Sequence, residues 1–357
     1  MQLIIPIRLQ WIYVLSHPGP VVTDLELTVT FTSTDGCKYS KELIVKTADI
    51  QILNSGSIIN PNSYVYINNT PAMPAITAKL NMSQLVGTAS WQFLTEYLRP
   101  NRIDSTPTNF NNVSAATTVN FTSGLNGSIL GGKVTVTVSH SLITDTKSFV
   151  FYVRGYNPTA AQVSTFPVVS AGPWFTMALI RHESQSACGN EIKQFNPTPA
   201  PGPNWDDYGS CPNRGADPSG TYGWGIMQLT NPLPSKYELW DWKANINNGM
   251  NLLTVEKKNA AQTNWNLYVK NYNVFKELNP SAPPPPNRTE GCVVYSYLPT
   301  GNQRSLFDAV WIKRYNGTLG DYYQWNNSTN TWESHFTNHL GENYVNTIST
   351  QYCNCVQ

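Results

Sequence analysis

The sequence predicts a multidomain protein: an all-β half built of sandwich modules, then a mainly α-helical domain. Three observations carry that reading. Runs with an apolar residue at every second position recur before Asn157, as in Leu25–Phe31 (LELTVTF) and Lys133–Val138 (KVTVTV). From Phe175 onward the apolar spacing changes to three and four, the period of a helix. Between the two regimes lies 158–172, which holds Pro158 and Pro167 and no periodic run, and reads as a linker.

Met1–Ser16 is apolar but broken by Pro6 and Arg8, too short for a membrane span and without a clean cleavage site, so it reads as strand-like material. Leu25–Phe31 follows as a half-buried strand, then a Thr-Asp-Gly turn and a second strand over Lys41–Lys46. Shorter strands are expected at Ala75–Leu80, at Ala89–Tyr97 around Trp91, and at Thr117–Thr122. The opening layout then returns as Lys133–Val138, a loop, and Ser148–Arg154, offset by roughly 107 residues. That interval is similar to one immunoglobulin-like sandwich of about 100 residues. The expectation is a partial immunoglobulin-like β module over 1–56 and a fuller β-sandwich over 57–157. Trp91 is placed as its inter-sheet tryptophan. No motif in this half carries chemistry, so it reads as a spacer or surface-attachment module that meets a cell-envelope protein.

The chain has 357 residues, enough for two or three domains with a sizeable core. Charged residues make up 13%, about half the usual share, and Asn, Thr, Ser, Pro and aromatics take their place. The net charge is +1, with 10 basic and 8 acidic residues before Asn157 and 13 and 14 after it. Neither half has the basic excess of a nucleic-acid binder. Six cysteines (Cys37, Cys188, Cys211, Cys292, Cys353, Cys355) in a low-charge chain suggest an oxidising compartment, periplasmic or secreted. Their connectivity is not legible from spacing.

In the second half, Phe175, Leu179 and Glu183 are four apart and share one helix face, with Thr176 and Ile180 in the row beside it. Glu183 thus continues an apolar stripe. A carboxyl there is desolvated, which favours its neutral form, the state a general acid holds near neutral pH. The alternative is a glutamate paired with Arg181 at a fraying helix end. Further along stand a Gly-rich turn, Gly223–Thr230 (GWGIMQLT), a helical segment, Asp241–Gly249 (DWKANINNG), and Ala309–Gly317 (AVWIKRYNG).

A glutamate-serine helix end, a G-x-G-I-M-Q turn, an N-I-x-x-G helix and a Y-N-G turn, in that order, resemble the lytic transglycosylase and goose-type lysozyme superfamily. The resemblance covers 173–357, about half the chain, and implies a lysozyme-like α domain that cleaves peptidoglycan glycan strands. Cleavage of a glycosidic bond needs an acid to protonate the leaving oxygen. A lytic transglycosylase uses one glutamate as acid and then as base, while the sugar's own C6 hydroxyl closes a 1,6-anhydro ring. The resemblance gives that role to Glu183, with no metal and no cofactor. It implies that Ser184 lies near the glutamate or the substrate's acetamido group, and that Gln228 with the Gly225–Met227 backbone lines sugar subsites. It also implies that Tyr315 holds the glutamate's carboxylate and that Asn316 shapes the turn beside it.

Two departures stand out. Met-Gln is followed by Leu229-Thr230-Asn231-Pro232, which leaves any contact of Thr230 with sugar open. The gap from Glu183 to Gln228 is about twice the family's usual one, because of a Pro-, Gly- and Asn-rich stretch over Cys188–Thr221. A Cys188–Cys211 bridge would tie that loop down. Its Glu191, Asp206, Asp207 and Asp217 include the residues that could make the enzyme a hydrolase instead. Asp241 reads as a helix N-cap. Trp205, Tyr222, Trp224, Tyr237, Trp240 and Tyr322 neighbour the motifs and are candidates for stacking on sugar rings. His335 and His339 share a helical face but lack a third ligand, so no zinc site is expected. A non-catalytic cell-wall-binding or assembly protein is the reading from another class.

Overall fold

The computed structural model describes residues 25–32, 36–45, 48–82, 88–99, 102–113, 118–141, 143, 146–155, 158–183, 225–232, 234–281, 306–316, 322–326, 328, 331–335, 344–345 and 347–348. They fall into two compact units, drawn from Met1–Asn68 with Ala72–Arg154, and from Asn69–Pro71 with Gly155–Gln357.

The first unit is all β apart from one helical turn. β1 (Leu25–Thr32) and β2 (Lys38–Val45) form a separate antiparallel hairpin, registered from Leu25 opposite Val45 to Thr32 opposite Lys38. The remaining strands are β3 (Ala48–Asn54), β4 (Ser57–Ile59), β5 (Tyr64–Ile67), β6 (Ile76–Met82), β7 (Ala89–Arg99), β8 (Arg102–Val113), β9 (Thr118–Asn120), β10 (Gly132–His140) and β11 (Lys147–Gly155). They make a four-stranded sheet, β4-β3-β6-β9, and a five-stranded sheet, β5-β11-β10-β7-β8. The period-two pattern is realised directly. Val134, Val136 and Val138 are buried along β10, while Trp91, Phe93, Thr95 and Tyr97 are buried along β7. Trp91 is 1% exposed, and Phe93 stacks on Phe121 of α1 (Phe121–Gly124), the turn that follows β9.

One expectation is corrected here, and one strand is new. The module boundary at Gly56 falls inside a hairpin, because Asn54 pairs with Ser57 and β3 also pairs with β6. Ser55 (φ 50°) and Gly56 (φ 85°) are its two-residue turn, the left-handed pair that matches strand twist. β8 was absent from the sequence reading; its polar run carries Pro107, which is tolerated because β8 is an edge strand.

The second unit is mainly helical. The segment read as a linker holds two short helices, α2 (Ala160–Ser164) and α3 (Pro167–Ser170). Thr159 and Gln162 form a capping box at α2, and Pro167 stands at the first turn of α3, where its missing N–H costs nothing. Val163 and Val169 are buried in this unit's core, so 158–172 belongs to it.

Then come α4 (Thr176–Glu183), α5 (Lys236–Trp240), α6 (Trp242–Asn251), a π-helical turn (Leu252–Lys257), α7 (Lys258–Leu278) and α8 (Leu306–Tyr315). A hairpin of β12 (Tyr322–Asn326) and β13 (Thr331–His335) follows. The core gathers Phe175, Leu179, Ile246, Leu253, Trp265 and Trp311, together with Val345 and Ile348 from the C-terminal stretch. The π turn has a visible partner: the Trp311 indole donates to the Leu253 carbonyl at 2.8 Å, with the Lys258 ammonium 4.7 Å from the Trp311 ring. No described helix is long and apolar enough to cross a membrane.

Candidate active site

Glu183 is the last residue of α4 and is half-buried. The helix forms where the apolar rows place it: Ala178, Leu179 and Ile180 are fully buried, as is Phe175 just before its start. That anchored stripe brings a carboxylate to the edge of the core.

α4 and α8 run in the same direction. At their starts the Trp174 indole donates to Asp308 Oδ2 at 2.8 Å, and Phe175 packs edge-to-face on Trp311. At their ends Glu183 lies in the electrostatic field of Tyr315. Asp308 is a buried carboxylate, but it belongs to the far end of the pair.

The turn after the long loop is pinned from beneath. Gly225 has φ +72°, and a Cβ there would stand 2.2 Å from the Asn245 amide nitrogen, so only glycine fits. Gln228 also takes a left-handed φ of 48°, and its Nε2 donates to the Gly225 carbonyl at 2.7 Å. Asn245 accepts the Met227 N–H on Oδ1 at 3.0 Å. Tyr315 donates its hydroxyl to the Met227 carbonyl at 2.7 Å. The Met227 side chain fills the space over Gly249, where a Cβ would stand 2.4 Å from it. The spacing of the N-I-x-x-G segment thus has a reason. Its Asn and its Gly lie four apart on one face of α6, and both serve Met227.

Glu183 itself is held by Tyr344, whose hydroxyl donates to Glu183 Oε1 at 2.5 Å. This phenol was missed by the sequence reading, which gave the role to Tyr315. Burial pushes the Tyr344 phenol well above the ordinary tyrosine range, and the Glu183 charge, their hydrogen bond and Tyr315 add to the shift. Tyr315 is raised first by burial and then by the Glu183 charge. Both hydroxyls therefore stay protonated and act as donors. The His182 ring stands edge-to-face on Tyr344 with centroids 4.7 Å apart, and burial lowers its pKa.

The other expected residues divide clearly. Met227 is fully buried and Gly225 is buried, so both support the turn from below. Gln228 is half-buried, while Asn316 is exposed and its N–H closes the last turn of α8 on the Lys313 carbonyl. Thr230 is exposed. Trp240 is fully buried in the core, whereas Tyr237 is exposed beside Lys236. Asp241 caps α6 through the N–H groups of Lys243 and Ala244. Ser184, Tyr222 and Trp224 lie outside the described residues, as do Trp205, the loop carboxylates Glu191, Asp206, Asp207 and Asp217, His339, all cysteines but Cys37, and the side chains of Tyr322 and His335. His335 ends the strand β13, so it does not stand on the helical face expected for it. Comparison of the chain with protein-family models, with curated proteins and with solved structures finds no match.

Proposed function

We propose that the second unit is a lysozyme-like domain acting as a peptidoglycan lytic transglycosylase, and that the first unit is an immunoglobulin-like module that holds it in the cell envelope. The observation that carries the reading is a single one. A half-buried glutamate at a helix end receives a neutral tyrosine hydroxyl, and a second tyrosine ties the same locus to a turn built on Gly225, Met227 and Gln228.

In the proposed reaction Glu183 protonates the bridging oxygen of the MurNAc-β-1,4-GlcNAc bond. The same carboxylate then accepts the proton of the C6 hydroxyl as that oxygen closes on the anomeric carbon. Glu183 ends the cycle protonated again, and no water is consumed. The neutral Tyr344 phenol steadies the carboxylate between the two transfers, and Gln228, whose Nε2 is held on the Gly225 carbonyl, shapes the turn proposed to line the sugar subsites. No metal or cofactor is part of the proposed scheme, and a peptidoglycan substrate would put the protein in the periplasm or outside the cell. Purified sacculi incubated with the protein should release soluble fragments, and Glu183→Gln should release none. Release by both proteins sinks the assignment of the acid. Release by neither favours a wall-binding role.

A further inference from the structure

Resting on the reading of Glu183 as the acid, we infer that His182 is a positioning residue that fixes the Tyr344 phenol on Glu183. The two residues are consecutive at the end of α4, so their side chains leave the helix about 100° apart. Both nevertheless meet one tyrosine. Glu183 takes its hydroxyl on Oε1, and the His182 imidazole stands against its ring at 88° with centroids 4.7 Å apart.

Tyr344 is 5% exposed, and it shares with Val345 and Ile348 the core that buries Leu179 and Ile180 of α4. His182 and Glu183 are the last two residues of α4. The hydrogen bond holds the phenol by its oxygen, and the imidazole meets it at its ring. The arrangement clamps the final helical turn and the phenol together. Burial keeps the imidazole neutral, so its contact with the ring does not bring a cation beside Glu183. Arg181, the other basic residue of that turn, is exposed.

The test uses the full chain and a soluble GlcNAc-MurNAc tetrasaccharide. A residue that aligns the acid acts in the transition state, so His182→Ala should lower kcat about 2- to 10-fold and leave KM unchanged, the range set by one aromatic edge contact. His182→Phe, which keeps an aromatic edge, should restore kcat. In a Tyr344→Phe background His182→Ala should lower kcat no further, because there is no phenol left to align. Should His182→Ala fail to fold, His182→Leu replaces it, with similar volume and no aromatic edge. A wild-type kcat in the Ala or Leu variant overturns the inference. So does a Phe variant as slow as the Ala one, or a loss of equal size in the Tyr344→Phe background. Glu183→Gln is run in parallel: full activity there overturns the parent reading, whereas an inactive Glu183→Gln beside an unaffected His182→Ala overturns this one alone.

Discussion

Tyr344 donates its hydroxyl to Glu183 across 161 residues of sequence, and the bond is short at 2.5 Å. A hydrogen bond to an ionised group contributes roughly 1.5–3 kcal/mol. Tyr344→Phe keeps the ring and its contact with His182 but removes that bond. Sacculus-cleaving activity should fall about 10- to 100-fold with the fold retained by circular dichroism. Unchanged activity would mean the phenol is incidental to the chemistry.

The Met227 carbonyl is inside the protein and takes the Tyr315 hydroxyl. In Tyr315→Phe that acceptor is left unsatisfied, which costs about 1–3 kcal/mol. A urea titration should show the midpoint moving down by that cost divided by the slope, with the slope unchanged. No shift would mean water reaches the carbonyl.

Gly249→Ala places a methyl group 2.4 Å from the Met227 side chain, far inside contact distance. Overpacking of this kind costs about 1–3 kcal/mol, which offsets or exceeds the roughly 0.8–1 kcal/mol that alanine normally gains over glycine inside a helix. The variant should melt below the wild type, and a smaller residue at 227 should recover part of the loss. A Gly249→Ala protein more stable than the wild type would show that the turn yields freely.

The pH dependence of stability has a sign on each side. The pKa values of Tyr315 and Tyr344 are raised in the folded state, so their contribution is complete below pH 10 and is lost as pH rises from there toward the folded values. Each can give a slope of at most about 1.4 kcal/mol per pH unit, and Tyr344→Phe should flatten the decline. The His182 pKa is lowered, so its contribution is present above pH 6.5 and is lost as pH falls from there toward the folded value. His182→Phe should remove that acid-side loss. Melting temperatures from pH 4 to 11.5 check both arms; identical profiles in the variants would contradict them.

Much of the site is legible in the sequence because its contacts are local or motif-bound. The apolar row Phe175–Leu179 places Glu183, and the four-residue spacing of Asn245 and Gly249 matches what Met227 needs. Tyr344 was not legible. It stands in a stretch with no motif around it, and only tertiary packing brings it to α4. The misread segments were misread for local reasons. Ser55-Gly56 is a hairpin turn, and a two-residue left-handed turn has the same composition as a module boundary. Pro167 begins a helix although a proline between periodic runs reads as a breaker, and the Thr159-x-x-Gln162 box that starts α2 precedes too short a helix to show a period.

The most direct measurement is the mass of the new glycan ends after sacculi are digested with the wild-type protein and with Glu183→Gln. The wild type should leave 1,6-anhydroMurNAc ends, 18 mass units (about one water) lighter than reducing ends, and Glu183→Gln should leave none. Reducing ends from the wild type would make it a hydrolase with a second carboxylate. Anhydro ends from Glu183→Gln would remove Glu183 from the chemistry altogether.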